Sequence, residues 1–138
     1  MKVHSGWLAI GLLIFAVMAC STSSTSSGPI SEGHMAKDNN GEPGDSTNTF
    51  APGDHTVHCL VKLSDPKEGM RIKFAWTIVD AGDQKNEKLK DIEYTTTGTK
   101  ENIVHGHLTK GADWPTGKYK CEVFVNDKSE KTIDYYVK

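Results

Sequence analysis

Gly117-Lys118-Tyr119-Lys120-Cys121-Glu122-Val123-Phe124-Val125 alternates between two kinds of side chain from end to end. A β-strand turns successive side chains to opposite faces, so Tyr119, Cys121, Val123 and Val125 are predicted inward and Lys120, Glu122 and Phe124 outward. The same period of two recurs upstream. His55 to Leu63 sets Val57, Cys59, Val61 and Leu63 on one face and His58, Leu60 and Lys62 on the other. Arg71 to Val79 places Ile72, Phe74, Trp76 and Ile78 inward, after turn chemistry at Asp65-Pro66-Lys67-Glu68-Gly69. Asp80 to Lys90 is polar and reads as a loop or edge ribbon. Ile92 to Thr97 is β-branched and aromatic, and Asn102 to Leu108 sets Val104 and Leu108 on one face and Ile103, His105 and His107 on the other. Asn126 to Ser129 reads as a tight connection into a last strand, Thr132 to Val137, with Ile133, Tyr135 and Val137 inward. Six or seven short strands at this spacing, with no helical period anywhere, predict an all-β sandwich or small barrel.

The start of the chain is of another kind. Lys2 and the free amine precede an apolar run from Trp7 to Ala19, thirteen residues long and followed by Cys20. That is shorter than the roughly 20 residues needed to cross a bilayer and suits the apolar region of a signal peptide. Val17-Met18-Ala19-Cys20 resembles the lipobox of bacterial lipoproteins. The resemblance implies a signal peptide over residues 1–19, removal at Ala19, and a diacylglyceryl group and further acyl chains such as palmitate on Cys20. Two or three chains on one cysteine anchor stably where one does not. With Ser at position 21, the resemblance implies the outer membrane in a Gram-negative host.

From Ser21 to Thr49 the composition is dominated by Ser, Thr, Gly, Asn and Pro, with Ile30 and Met35 as the sizeable apolar residues. Residues 20–49 are therefore expected to be a flexible tether, because such a segment buries too little surface to offset its ordering entropy. As a coil it would span roughly 30 Å. Residues 50–138 are expected to form one domain.

An exported domain of this size commonly needs a staple, and two cysteines remain after Cys20. Cys59 and Cys121 are predicted to pair as a disulfide. The order of Cys59, then Trp76, then Tyr119-x-Cys121 resembles the immunoglobulin fold, and Gly117-x-Tyr119-x-Cys121 is similar to the G-x-Y-x-C run of such domains. The resemblance implies a sandwich of about seven antiparallel strands, with Trp76 packed on the disulfide and Tyr119 pinning the corner before the second cysteine. Two features depart from it: Pro115 stands where an aspartate is usual six residues before the second cysteine, and the first strand is obscure, with Phe50-Ala51-Pro52-Gly53 as its remnant or lead-in. The corner Trp114-Pro115-x-Gly117-x-Tyr119 is similar to that of bacterial extracytoplasmic immunoglobulin-like domains.

Charge and motifs narrow the function. Residues 50–138 carry thirteen lysines and Arg71 against fourteen carboxylates, a formal zero, so the basic stripe of a nucleic-acid binder is missing. The sequence has no G-x-S-x-G, H-E-x-x-H, phosphate loop or dinucleotide-binding turn, which argues against an enzyme. His105 and His107 point to one face about 7 Å apart, at a spacing that would let them share a Zn or Cu ion with a third ligand from a neighbouring strand. The plainer expectation is two polar residues on a wet strand face around an inward Gly106, with no metal and no cofactor beyond the lipid on Cys20. Trp114 and Phe124 are candidate contacts for a partner, with capping of the bottom of the core as the other reading of Trp114. The sequence thus reads as a lipid-anchored, non-enzymatic immunoglobulin-like module meeting an envelope or extracellular protein. Metal binding through His105 and His107 is the alternative.

Overall fold

A computed structural model describes residues 28–138. The expected signal peptide, the lipobox and Cys20 lie outside the described residues. Nine strands form two sheets: β1 (Ile30–Asn39), β2 (Glu42–Ser46), β3 (Thr49–Phe50), β4 (Thr56–Leu63), β5 (Arg71–Ala81), β6 (Gln84–Thr95), β7 (Ile103–Thr109), β8 (Gly117–Val125) and β9 (Lys128–Val137). One sheet has the order β2-β1-β4-β7 and the other β3-β9-β8-β5-β6. All pairings are antiparallel except β3 with β9. The fold is an all-β sandwich, as the alternation predicted.

The tether expected over residues 20–49 is corrected from Gly28 onward. β1 runs through that stretch and pairs with β4 from Ile30 opposite Leu63 to Lys37 opposite Val57. Few apolar residues suffice because they are well placed: Ile30 and Met35 enter the core, only 4% and 1% exposed, and Ala36 is fully buried. Backbone pairing on β4 supplies the rest. Asn40 and Gly41 then close a two-residue hairpin between Asn39 and Glu42, with φ of 55° and 91°. Asn-Gly favours this type I′ loop because both residues accept positive φ. The polar segment from Asp80 to Lys90 is likewise a hairpin, turning at Gly82-Asp83 between Ala81 and Gln84 and continuing into the long edge strand β6.

The core lies between the sheets. Tyr119 stacks on Tyr135 at 5.3 Å between ring centroids, and Phe50 and Trp76 meet Tyr135 edge-on at 5.6 and 6.1 Å. The Tyr119 hydroxyl donates to the Pro115 carbonyl at 2.5 Å, tying the β8 corner to the strand it leads into. Trp76 stands opposite Cys121 in the β5–β8 register. Gly106 lets β7 settle on the other sheet, since a Cβ there would come within 2.7 Å of the Phe74 ring.

The disulfide expected between Cys59 and Cys121 is not formed in this structure. Both residues are fully buried free thiols, one on each sheet. They are neighbours: burial first, and then a hydrogen bond with Cys59, push the Cys121 thiol well above its ordinary pKa. Burial in this apolar interior disfavours a thiolate at Cys121.

Candidate metal centre

The outward face of the β2-β1-β4-β7 sheet gathers three of the histidines. In the β4–β7 register His58 stands opposite His107, Cys59 opposite Gly106, and Leu60 opposite His105. The two-residue period therefore sends His58, His105 and His107 to the same side, while Cys59 and Gly106 face the core. The His58 ring lies 5.5 Å from that of His107 and 5.8 Å from that of His105, centroid to centroid. One ring nitrogen from each of the three lies within 4.8 Å of the others.

His58 is fully buried although it lies on the outer face of its sheet. Ala36, opposite it on β1, is small enough to leave room for the imidazole. Asp38, two residues further along β1, takes its Nε2 at 2.7 Å. The carboxylate accepts, so Nε2 carries the donated proton, and in the singly protonated tautomer of that ring the lone pair is on Nδ1. That nitrogen is buried and has no hydrogen-bond partner among the described residues. Asp38 is held below the ordinary carboxylate range, chiefly by the bond from His58, against burial and with help from the Gly41 N–H. Burial, and then the neighbouring His58, lower the pKa of His105, although Glu42 pulls the other way. A carboxylate-backed imidazole with a free lone pair, grouped with two further imidazoles, supplies the parts of a transition-metal ligand set.

The alternation in the sequence placed His105 and His107 together and required a third ligand from a neighbouring strand, without naming it. His58 had already fallen on the outward face of β4. What was missing was the pairing of β4 with β7, and of β1 with β4, which brings Asp38. His55 is separate, bonded to Asp113 at 2.9 Å, and His34 lies opposite Leu60 outside the three-nitrogen group.

The two aromatic partner candidates are placed differently from each other. Trp114 is 3% exposed, donates its indole N–H to the Asp54 carbonyl at 2.9 Å and meets Tyr119 edge-on. It closes the end of the core, the second of its two expected readings, and is not an exposed contact. Phe124 is half-buried on the outer face of the other sheet, with the Lys73 ammonium 4.4 Å from its ring centre.

No protein-family model and no curated protein matches the chain. Among solved structures, an immunoglobulin-like protein from Pseudomonas aeruginosa superposes with a TM-score of 0.54 at 9% identity, covering 78% of this chain and 92% of that one. The chain has an immunoglobulin-like fold. A β-glucosidase from Listeria innocua is also similar, with a TM-score of 0.45 at 15% identity, over 71% of this chain but 18% of that one. At these identities the likeness concerns the sandwich alone, and such sandwiches share architecture without sharing a function.

Proposed function

We propose that this chain is a lipid-anchored lipoprotein of a bacterial envelope, presenting a non-enzymatic immunoglobulin-like module for contacts with a protein or surface. The observation that carries the reading is the lipobox Val17-Met18-Ala19-Cys20 placed directly ahead of a sandwich. Only Ser21 to Ser27 separate Cys20 from Gly28. Seven residues reach at most about 25 Å, so the domain would stand close to the headgroups rather than at the end of a long tether. Gly28 leaves the sandwich beside Ser64, whose hydroxyl donates to the Gly28 carbonyl at 3.0 Å. The turns at Asp65 to Gly69 and at Asn126-Asp127 would therefore face the bilayer, and the corner containing Trp114 would face away from it.

The non-enzymatic part of the reading is supported by the chemistry of the two buried thiols. A cysteine nucleophile needs a lowered pKa and access to substrate, whereas Cys121 has neither. Closure of the Cys59–Cys121 pair after export belongs to the same reading. Bridging two cysteines 62 positions apart would add about 4 kcal/mol in the chain-entropy treatment.

Fractionation of Cys20→Ser tests the anchor. The variant is expected to fold, to lose lipid labelling and to leave the processed membrane fraction. Wild-type-like processing and membrane partition of Cys20→Ser would refute the lipoprotein reading. Thiol counting on denatured, exported protein tests the second point: no titratable thiol at Cys59 and Cys121 is expected, and two would count against residence in an oxidising compartment.

A further inference from the structure

We propose that His58, His105 and His107 form a binding site for a single divalent transition ion of the zinc and copper class, with Asp38 as the residue that positions His58. This goes beyond anchoring and does not depend on it. Three observations converge on the site. One ring nitrogen of each histidine already lies within 4.8 Å of one from each of the others, across two paired strands. His58 is fixed by burial and by its bond to Asp38, which leaves Nδ1 buried and without a hydrogen-bond partner among the described residues. The other two residues are exposed.

The geometry asks for little movement. A tetrahedral ion with Zn–N bonds of about 2.0 to 2.1 Å needs its nitrogens about 3.4 Å apart. The exposed side chains of His105 and His107 are the parts that would turn to close the difference. Asp38 holding the far nitrogen of a ligating histidine matches the carboxylate–histidine–metal arrangement, which fixes tautomer and ring orientation and raises ligand basicity. Imidazole donors without thiolates select zinc and copper over magnesium and calcium, which take oxygen ligands. Three protein ligands leave a fourth position open for water or for a donor from another molecule.

The test uses the full-length processed protein in detergent, stripped with EDTA and then titrated separately with Zn2+, Cu2+ and Mg2+. Bound metal is counted after desalting, and the melting midpoint is followed. One equivalent of Zn2+ or Cu2+ is expected, raising the midpoint by about 5 °C or more at a hundredfold excess over Kd, with no response to Mg2+. His105→Ala and His107→Ala, both at exposed positions, should melt like the stripped wild type and lose the bound ion. Asp38→Asn should still bind, with an affinity lower by about 10- to 100-fold. The outcome does not depend on His58→Ala, in which a failure to fold would mask any loss of the ion. The proposal is overturned if neither Zn2+ nor Cu2+ stays bound, or if His105→Ala and His107→Ala respond to the ion as the wild type does. Unchanged affinity in Asp38→Asn would remove the positioning role.

Discussion

The two sheets of this sandwich have outer faces made by the same alternation, yet the faces differ in kind. On the five-stranded sheet, outward side chains meet in pairs at the water boundary: Lys118 with Asp134 at 3.7 Å, Ser129 with Glu122 at 2.6 Å, and Lys73 over Phe124. Exposed pairs of this type contribute little to stability, because water and salt screen them. On the four-stranded sheet, an outward side chain is fully buried. His58 is covered from outside by its neighbours, and one of its two polar nitrogens is satisfied while the other is not. Outward and solvated are therefore different properties. A buried polar atom left unpaired costs free energy that an exposed strand position does not incur, and on this outer face that atom, His58 Nδ1, lies beside two further imidazoles.

Substitutions in the metal-free protein can break or sharpen that contrast, read as shifts in the urea unfolding midpoint. Gly106→Ala should have the largest effect. It lies on the core side between His105 and His107, its new Cβ would press on the Phe74 ring, and overpacking of this kind costs about 1 to 3 kcal/mol. His58→Ala should follow at about 2 kcal/mol, from the lost packing and the lost bond to Asp38. Lys120→Ala, on the outer face of the other sheet, should stay within about 0.5 kcal/mol. If Lys120→Ala proves as costly as His58→Ala, the two faces are energetically alike and the contrast fails. If added Zn2+ stabilises wild type but not a folded His58→Ala, the contrast sharpens into a functional one.

Much of the fold was legible because alternation fixes which side chains share a face. Strands β4, β5, β7, β8 and β9, the inward positions of Trp76, Tyr119 and Tyr135, and the common face of His105 and His107 all follow from a period of two, whereas the first half of β6 is polar on both faces and reads only as a loop or edge ribbon. The first two strands were not legible in the same way. Averaged over 29 residues, the composition from Ser21 to Thr49 hides a strand that needs only Ile30, Met35 and Ala36 to be buried, and a turn at Asn40-Gly41 is not set apart by composition from the polar residues around it. Losing β1 meant losing Asp38. The third histidine was hidden for another reason: which strands pair is set by the whole topology, and no local pattern in β4 or β7 states that His58 will stand opposite His107. Trp114 shows a third limit, since an aromatic residue in a loop has no period from which to read its burial.

The long strand β6 has a consequence for how copies of this molecule can sit side by side. It ends its sheet, so along twelve residues one row of backbone donors and acceptors is open to any passing strand. Such an edge invites sheet-to-sheet growth between molecules. Along it, however, stand Lys85, Glu87, Lys88, Lys90, Asp91 and Glu93, and the register with β5 slips between Trp76 and Thr77, opposite Lys90 and Lys88. A second copy docking there would have to strip water from those charges and follow a bulged edge. Crowding on a surface, where neighbours meet repeatedly in two dimensions, is the circumstance in which that protection counts most.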